Sequence, residues 1–341
     1  MSEKQKISVI SFDHWNYDKE IVRALNNKNI IATHINFGKY RYKNLWERIR
    51  NTLSKVFLNK NPKHFKRQDQ IIEKLKILGK QDQILVLNPD LIDLKYHFEI
   101  KKHTNRYIAY LYDSVSRSKM PIEHLLNEIF NEIYSFDSFD VEKYNFIKTN
   151  NYIYSKKQEI IPKNEIKMQV LNISSFDKRF EKMNNLACKL NDLGINFKFV
   201  FVGRNINFKV LKYKIKGFLK KFRFSKINSK IQFSSKKLSL ENLNSEYLAT
   251  NIILDLVQEN QTGLSFRVFE ALALQKKMIT DNSTIKNYSF YNPNNILVID
   301  KNNLDFDISF FNVPYEPIPE EIYNDYTIES WVDKVFKLTK I

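Results

Sequence analysis

Glycine is scarce in this chain, with six in 341 residues. A phosphate-cradling loop needs several glycines close together, so neither a G-x-G-x-x-G turn nor a P-loop can be built from them. Cysteine is scarcer still. The single Cys188 excludes an intrachain disulfide, fits a reducing compartment, and falls in an amphipathic stretch that suits a buried structural thiol. No segment approaches the roughly 18 consecutive apolar residues of a membrane span. The opening MSEKQKISVISF has no apolar run long enough for a signal peptide, so a cytoplasmic location is expected. The six histidines show neither H-E-x-x-H nor paired Cys/His spacing, and no metal site is expected. G-x-S-x-G is also missing. Acid is in deficit, 38 residues against 55 basic ones, for a net charge of +17. Such a chain seeks phosphate in a nucleotide, a nucleic acid or an anionic lipid, and charge alone does not choose among them.

What is present reads as alternating strands and helices, long enough for two α/β domains. Strands are predicted at Lys6–Phe12, Ile30–Phe37, Gln83–Asn88, Arg106–Tyr112 and Ile133–Phe136, with a helix from Asp18 through Leu25 and another from about Gln68 to Leu78. Lys-rich polar sequence around 150–166 marks a linker. A second series follows: Met168–Ile173, a helix over Phe180–Leu193, Asn196–Val202, Ile231–Phe233, a helix over Ser239–Ala249, and a last strand at Ile296–Ile299. Tyr326–Lys340 is a final helix anchored by Trp331, Val335 and Phe336.

Two loops carry titratable groups at predicted strand ends. Asp13 and His14 follow the first strand, where a carboxylate beside an imidazole suits a general base; helix capping or plain surface exposure is the competing account. Asp113 follows RYIAYLY and has the same two readings. Two blocks are strongly basic. Residues 39–67 hold ten Lys/Arg and one acid, with Leu45, Trp46, Ile49, Leu53, Val56 and Phe57 at helical spacing. That is the pattern of a membrane-surface helix, and equally of a helix packed on the core with solvated lysines. Residues 204–230 hold ten Lys/Arg and no acid, interleaved with Phe and Tyr, and fit contact with membrane or nucleic acid, or a solvated insertion.

The stretch that organises the chain is NIILDLVQENQTGLSFRVFEALALQKKMIT, residues 251–280. It reads as buried strand, polar loop closed by Gly263, helix, strand. In such a unit the loop and first helical turn lie at the carboxyl edge of a parallel sheet, and the helix start favours an anion. Arg267 in that turn and Glu270 one turn later place a cation for phosphate beside a carboxylate for sugar hydroxyls. The alternative is an ordinary βαβ unit in which Arg267 and Glu270 pair with each other.

TGLSFRVFEALALQKKMIT resembles the donor-site segment of GT-B glycosyltransferases, particularly bacterial enzymes of lipopolysaccharide and capsule assembly. Ser265, Arg267 and Glu270 match; the position eight before Glu270 is Thr262 rather than Glu, and the usual glycine before the final strand is Gln275. The segment FDSFDVEKY is also similar to one in that family. The resemblance implies two Rossmann-like domains facing a central cleft: an acceptor domain over 1–160, a donor domain over 167–320, and a helix over 326–341 crossing back to the first. It implies that Ser174, Arg179, Gly263, Ser265 and Arg267 hold the donor diphosphate and Glu270 its ribose, without a metal or other cofactor. Asp13, His14 and Asp113 would face the acceptor. Asp305-Phe306-Asp307 resembles the metal triplet of the other glycosyltransferase fold but stands after the last predicted strand. The expectation is a metal-independent hexosyltransferase-like enzyme that uses a nucleotide-sugar, with UDP favoured. Its acceptor would be a saccharide or lipid-linked saccharide, with an anionic membrane surface met through 39–67. The alternative is a basic nucleic-acid-binding protein, whose partner the first reading does not expect.

Overall fold

The computed structural model describes residues 4–13, 17–38, 42, 44–57, 61–117, 120–160, 168–219, 227–236, 240–258, 261–300 and 307–338. The chain forms two compact units, residues 1–154 with 325–341, and residues 155–324.

Unit 1 is a parallel sheet of β1 (Lys6–Ser11), β2 (Ile31–Asn36), β3 (Gln81–Leu87), β4 (Thr104–Leu111), β5 (Glu132–Ser135) and β6 (Ile147–Lys148). The strand order is β2-β1-β3-β4-β5-β6, so connection direction reverses between β1 and β3. The central strands are nearly continuous apolar runs because helices cover both faces: Ile7, Val9, Ile10, Ile84, Leu85 and Val86 are wholly buried. The connecting helices are α1 (Asp18–Asn27), α2 (Leu45–Phe57), α3 (Pro62–Leu78), α4 (Leu94–Lys101), α5 (Ile122–Leu125) and α6 (Ser138–Tyr144). Pro62 at the first turn of α3 explains why that helix starts earlier than the hydrophobic pattern suggested, since a helix start does not need the missing N–H.

Unit 2 carries β7 (Met168–Ser175), α7 (Phe180–Asp192), β8 (Phe197–Val202), α8 (Ile206–Leu219), β9 (Ile231–Ser234), α9 (Leu240–Leu248), β10 (Thr250–Asp255), α10 (Phe266–Ala273), β11 (Lys277–Thr280), β12 (Ile296–Val298) and α11 (Glu320–Asp325). Its sheet is also parallel, ordered β12-β11-β10-β7-β8-β9. Numbered within the unit this is 3-2-1-4-5-6, the Rossmann order, whose switch point lies between β7 and β10. The core beneath it is rich in phenylalanine: Phe180, Phe199 and Phe201 are buried, with Phe176 and Tyr213 against them.

The last helix, α12 (Ile328–Phe336), belongs to unit 1. Trp331 packs its ring 5.2 Å from Tyr110 and 4.8 Å from Tyr152. Gln83 and Arg106 donate to the carbonyls of Phe336 and Val335 at 3.0 and 2.9 Å, satisfying groups that a helix end leaves open. Lys28 of α1 pairs with Asp333 at 2.9 Å. A terminal helix held by a buried indole and three polar ties is an integral part of the first unit, as the GT-B resemblance implied.

Helix α2 is inverted relative to an ordinary surface helix. Its polar side is turned inward: Asn51 is 4% exposed and accepts from the Lys63 backbone N–H at 2.8 Å, while Glu47 pairs with Lys66. Its apolar stripe faces out, with Leu45 68%, Trp46 78%, Leu53 50% and Phe57 76% exposed. Among the described side chains of the stripe, Leu45, Trp46, Leu53 and Phe57 are exposed rather than packed on the core, which was one of the two sequence readings. Among the described residues no helix is long and apolar enough to cross a membrane.

Candidate functional site at the carboxyl edge of unit 2

Strand β10 ends on Asp255, a carboxylate only 2% exposed at the switch point. A buried carboxylate needs partners, and two come from the start of α10. Ser265 Oγ donates to Asp255 Oδ2 at 2.6 Å, and the Arg267 guanidinium pairs with Oδ1. Arg267 Nη2 also donates to the Ile173 carbonyl on β7 at 3.0 Å, so one side chain spans the two strands where topology reverses. Burial works to lower the Arg267 pKa, but Asp255, with Tyr247 and Glu270, outweighs it and holds the guanidinium above its ordinary value. Its Nε is a buried donor without a hydrogen-bond partner among the described residues.

Ser265 is the N-cap of α10: its backbone is extended, and its Oγ accepts from the Arg267 N–H at 3.2 Å. Gly263 is buried beside it, and the loop is held from the next strand end. Asn282 and Thr284 donate to the Thr262 carbonyl at 3.2 and 2.7 Å, and Asn282 donates to that of Gly263 at 3.3 Å. Glu270 is half-buried one turn along α10. The guanidinium pairs with Asp255, and the charge of Glu270 also acts on it.

The loop after β7 brings a second arginine to the same strand end. Arg179 makes a two-bonded pair with Asp177, at 3.0 and 2.7 Å, and donates through Nη1 to the Leu256 carbonyl at 2.7 Å. Ser174 is different: it is 7% exposed, and its hydroxyl donates to Asn172 Oδ1 at 2.8 Å, fastening the strand interior. Two groups the sequence reading passed over complete the edge. Lys182, in the first turn of α7, pairs at 2.9 Å with Asp281, which follows β11. Asp281 also accepts from the Val257 N–H at 2.8 Å. Charged residues at the ends of apolar strands, Asp255 in NIILDLV and Asp281 after KMIT, were the available signal. Three cations, Arg179, Lys182 and Arg267, therefore sit at the carboxyl ends of β7, β10 and β11, each oriented by a carboxylate.

The carboxyl edge of unit 1 holds the other predicted residues. Asp13 takes a left-handed backbone, φ 49°, accepting from the Asp18 N–H at 3.3 Å and from Asn36 Nδ2 at 3.2 Å. His14 lies outside the described residues, as does most of the Asp305-Phe306-Asp307 triplet. Asp113 is 52% exposed and pairs with Arg117 at 2.7 Å. Asp18, the first residue of the predicted opening helix, is 4% exposed and accepts from the Tyr112 hydroxyl at 2.9 Å, which in turn meets the Tyr152 hydroxyl at 2.8 Å. Burial pushes the Asp18 carboxyl up to about 6, with the neighbouring Asp13 adding to the rise against hydrogen bonds from Ser11 and Tyr112. The FDSFD segment has a structural explanation: Asp137 caps α6, and Asp140 accepts from the Val115 N–H at 2.7 Å and from Ser114, fixing the loop after β4. Among the described residues no group of three His, Cys, Asp or Glu side chains is placed to share a metal ion.

No protein-family model matches the chain, and no curated protein matches it in sequence. Solved structures do. A lipopolysaccharide outer core galactosyltransferase, WaaB, is similar over 98% of this chain and 99% of its own, at 12% identity and TM-score 0.51. An α-glucosyltransferase in complex with UDP and a 13-mer DNA is similar over 97% and 93%, at 15% identity and TM-score 0.57. An α,α-trehalose 6-phosphate synthase from Burkholderia multivorans is similar over 98% and 96%, at 10% identity and TM-score 0.59. With two parallel Rossmann-like sheets and a final helix returned to the first unit, the chain has the fold of the GT-B glycosyltransferases.

Proposed function

We propose that the protein is a glycosyltransferase that takes a sugar from a UDP-sugar held at the carboxyl edge of unit 2. The observation that carries this reading is the convergence of Arg179, Lys182 and Arg267 on the ends of β7, β10 and β11, at the switch point where a Rossmann sheet binds its ligand. In the transfer, the bond from the sugar's anomeric carbon to the β-phosphate oxygen breaks and one to an acceptor hydroxyl oxygen forms. The electron pair leaves with UDP, and the hydroxyl proton passes to a base or to solvent. The three cations and the start of α10 stabilise the departing diphosphate without needing a metal, because preorganised charge does the same work. Glu270 accepts from the ribose hydroxyls. Asp13 and Asp113 are the predicted acceptor-side groups in the described part of unit 1, and one of them, or His14, is the base if the configuration inverts. Asp255 and Asp281 position the cations rather than touch the donor.

The acceptor reading is a saccharide or lipid-linked saccharide of surface-polysaccharide assembly, met at the cytoplasmic face of a membrane. Support comes from α2, whose apolar stripe is turned outward while Arg48, Arg50 and Lys55 stand exposed along the same helix. That arrangement fits an anionic bilayer, with the stripe at the headgroup boundary and the cations among the phosphates. A nucleic-acid acceptor is the second reading. It is favoured by the net charge of +17 and by the DNA-bound glucosyltransferase of the same fold, but a phosphate backbone leaves Leu45, Trp46 and Leu53 uncovered. The test is UDP release from a panel of UDP-hexoses with either a bacterial lipid extract or duplex DNA as acceptor. Release stimulated by the lipid fraction is expected. Release stimulated by DNA alone would move the acceptor to nucleic acid, and release from no donor would sink the enzyme reading.

A further inference from the structure

Helix α8 has two apolar faces, and the core uses only one. Ile206 is fully buried, Val210 is 9% exposed, and Tyr213 packs its ring 5.0 Å from Phe180. Phe208, Leu211 and Ile215 are 67%, 53% and 50% exposed. At about 100° per residue, the two sets lie on nearly opposite sides of the helix. The outward set has the i, i+3, i+7 spacing of a designed stripe rather than the scatter of ordinary surface apolar residues. Lys209, Lys212 and Lys214 are exposed around it, and the block from Arg204 to Lys230 contains no acid to neutralise them.

We propose that this face of α8 is a second bilayer-contacting surface, on the donor unit, which inserts Phe208, Leu211 and Ile215 at the headgroup boundary and sets its lysines against anionic lipid. The inference rests on the reading of the protein as membrane-peripheral but on a different helix in a different unit. The charge selects the occupant. A second copy docked face to face would bring two cationic rims together. Nucleic acid would engage the lysines, yet it has no surface for an aliphatic stripe, since its contacts run mainly through phosphate. A bilayer with anionic headgroups matches both the stripe and its rim. Each cation near such a surface strengthens binding.

The experiment is flotation of the full chain with vesicles of phosphatidylethanolamine and phosphatidylglycerol, against phosphatidylcholine alone. It compares the parent, Phe208→Ser/Leu211→Ser/Ile215→Ser, and Trp46→Ser/Leu53→Ser. The triple variant keeps Ile206, Val210 and Tyr213, so its melting temperature should match the parent's. The expected result is binding of the parent to anionic vesicles and at least a fivefold lower partition for the triple variant. Parent-like partition of the triple variant, with binding lost in the α2 variant, would overturn the inference and leave the α2 reading standing. No binding by the parent would overturn both. Loss by the triple variant of duplex DNA retention, with vesicle binding unchanged, would assign the face to nucleic acid and also overturn it.

Discussion

The two carboxyl edges differ in what they bury. In unit 2 the basic side chains are paired in place, Arg267 to Asp255, Arg179 to Asp177 and Lys182 to Asp281. In unit 1 one of the buried carboxyls, Asp18, has a phenol for its partner and a pKa raised to about 6. Both edges come from the same parallel architecture, so the contrast arises in the residues at the strand ends. A carboxylate that holds a guanidinium fixes positive charge where it costs no reorganisation when a diphosphate departs. A carboxyl beside a phenol is neutral or charged according to pH.

The comparison breaks most visibly at Asp255. Asp255→Ala leaves a largely buried guanidinium without its counter-charge and Ser265 without its acceptor, a loss of about 3–5 kcal/mol in urea unfolding. A loss below about 1 kcal/mol would mean that unit 2 does not depend on the pair. Asp18 is expected to act in the opposite sense. Its folded pKa of about 6 exceeds the ordinary 3.8, so the folded chain binds more protons between those values, and stability falls as pH rises through them. The gap corresponds to about 3 kcal/mol, fully present below pH 4 and lost above pH 6. Asp18→Asn keeps an acceptor for Tyr112 and should flatten that part of the stability–pH curve; a parallel curve for parent and variant would remove the contrast between the edges.

Smaller effects sharpen it. Glu270→Ala should weaken UDP-sugar binding about tenfold, the worth of a charge-assisted hydrogen bond. Unaltered donor affinity by calorimetry would sink the ribose assignment. Gln275 takes a left-handed backbone, φ 50°, at the end of α10. Gln275→Gly should stabilise the chain by up to about 1 kcal/mol in thermal unfolding, since the relief of strain exceeds the added freedom of the unfolded chain.

That last position shows how legible the chain was. The resemblance noted a glycine missing before the final strand of the 251–280 stretch, and the structure supplies the reason for glycine there: a helix end that turns left-handed. The α/β alternation and the GT-B fold were readable because parallel strands buried on both faces leave continuous apolar runs. Helix α8 was not, because its two opposed apolar faces carry no single periodic signal and its lysines resemble an insertion. The partner of Lys182 was hidden for another reason. Asp281 follows a strand 99 residues from the lysine it orients, and only strand order brings the two to one edge. Nor did spacing reveal that Asp18 is buried against Tyr112, 94 residues away.

The claim that unit 2 is a nucleoside diphosphate site is tested most directly by thermal stability against UDP, GDP, ADP and CDP, first in EDTA and then in magnesium. UDP is expected to stabilise the chain in both, by about 2.7 kcal/mol at one hundred times its Kd, and the shift should disappear in Arg267→Ala at the same concentration. No stabilisation by any of the four, in either condition, would contradict it.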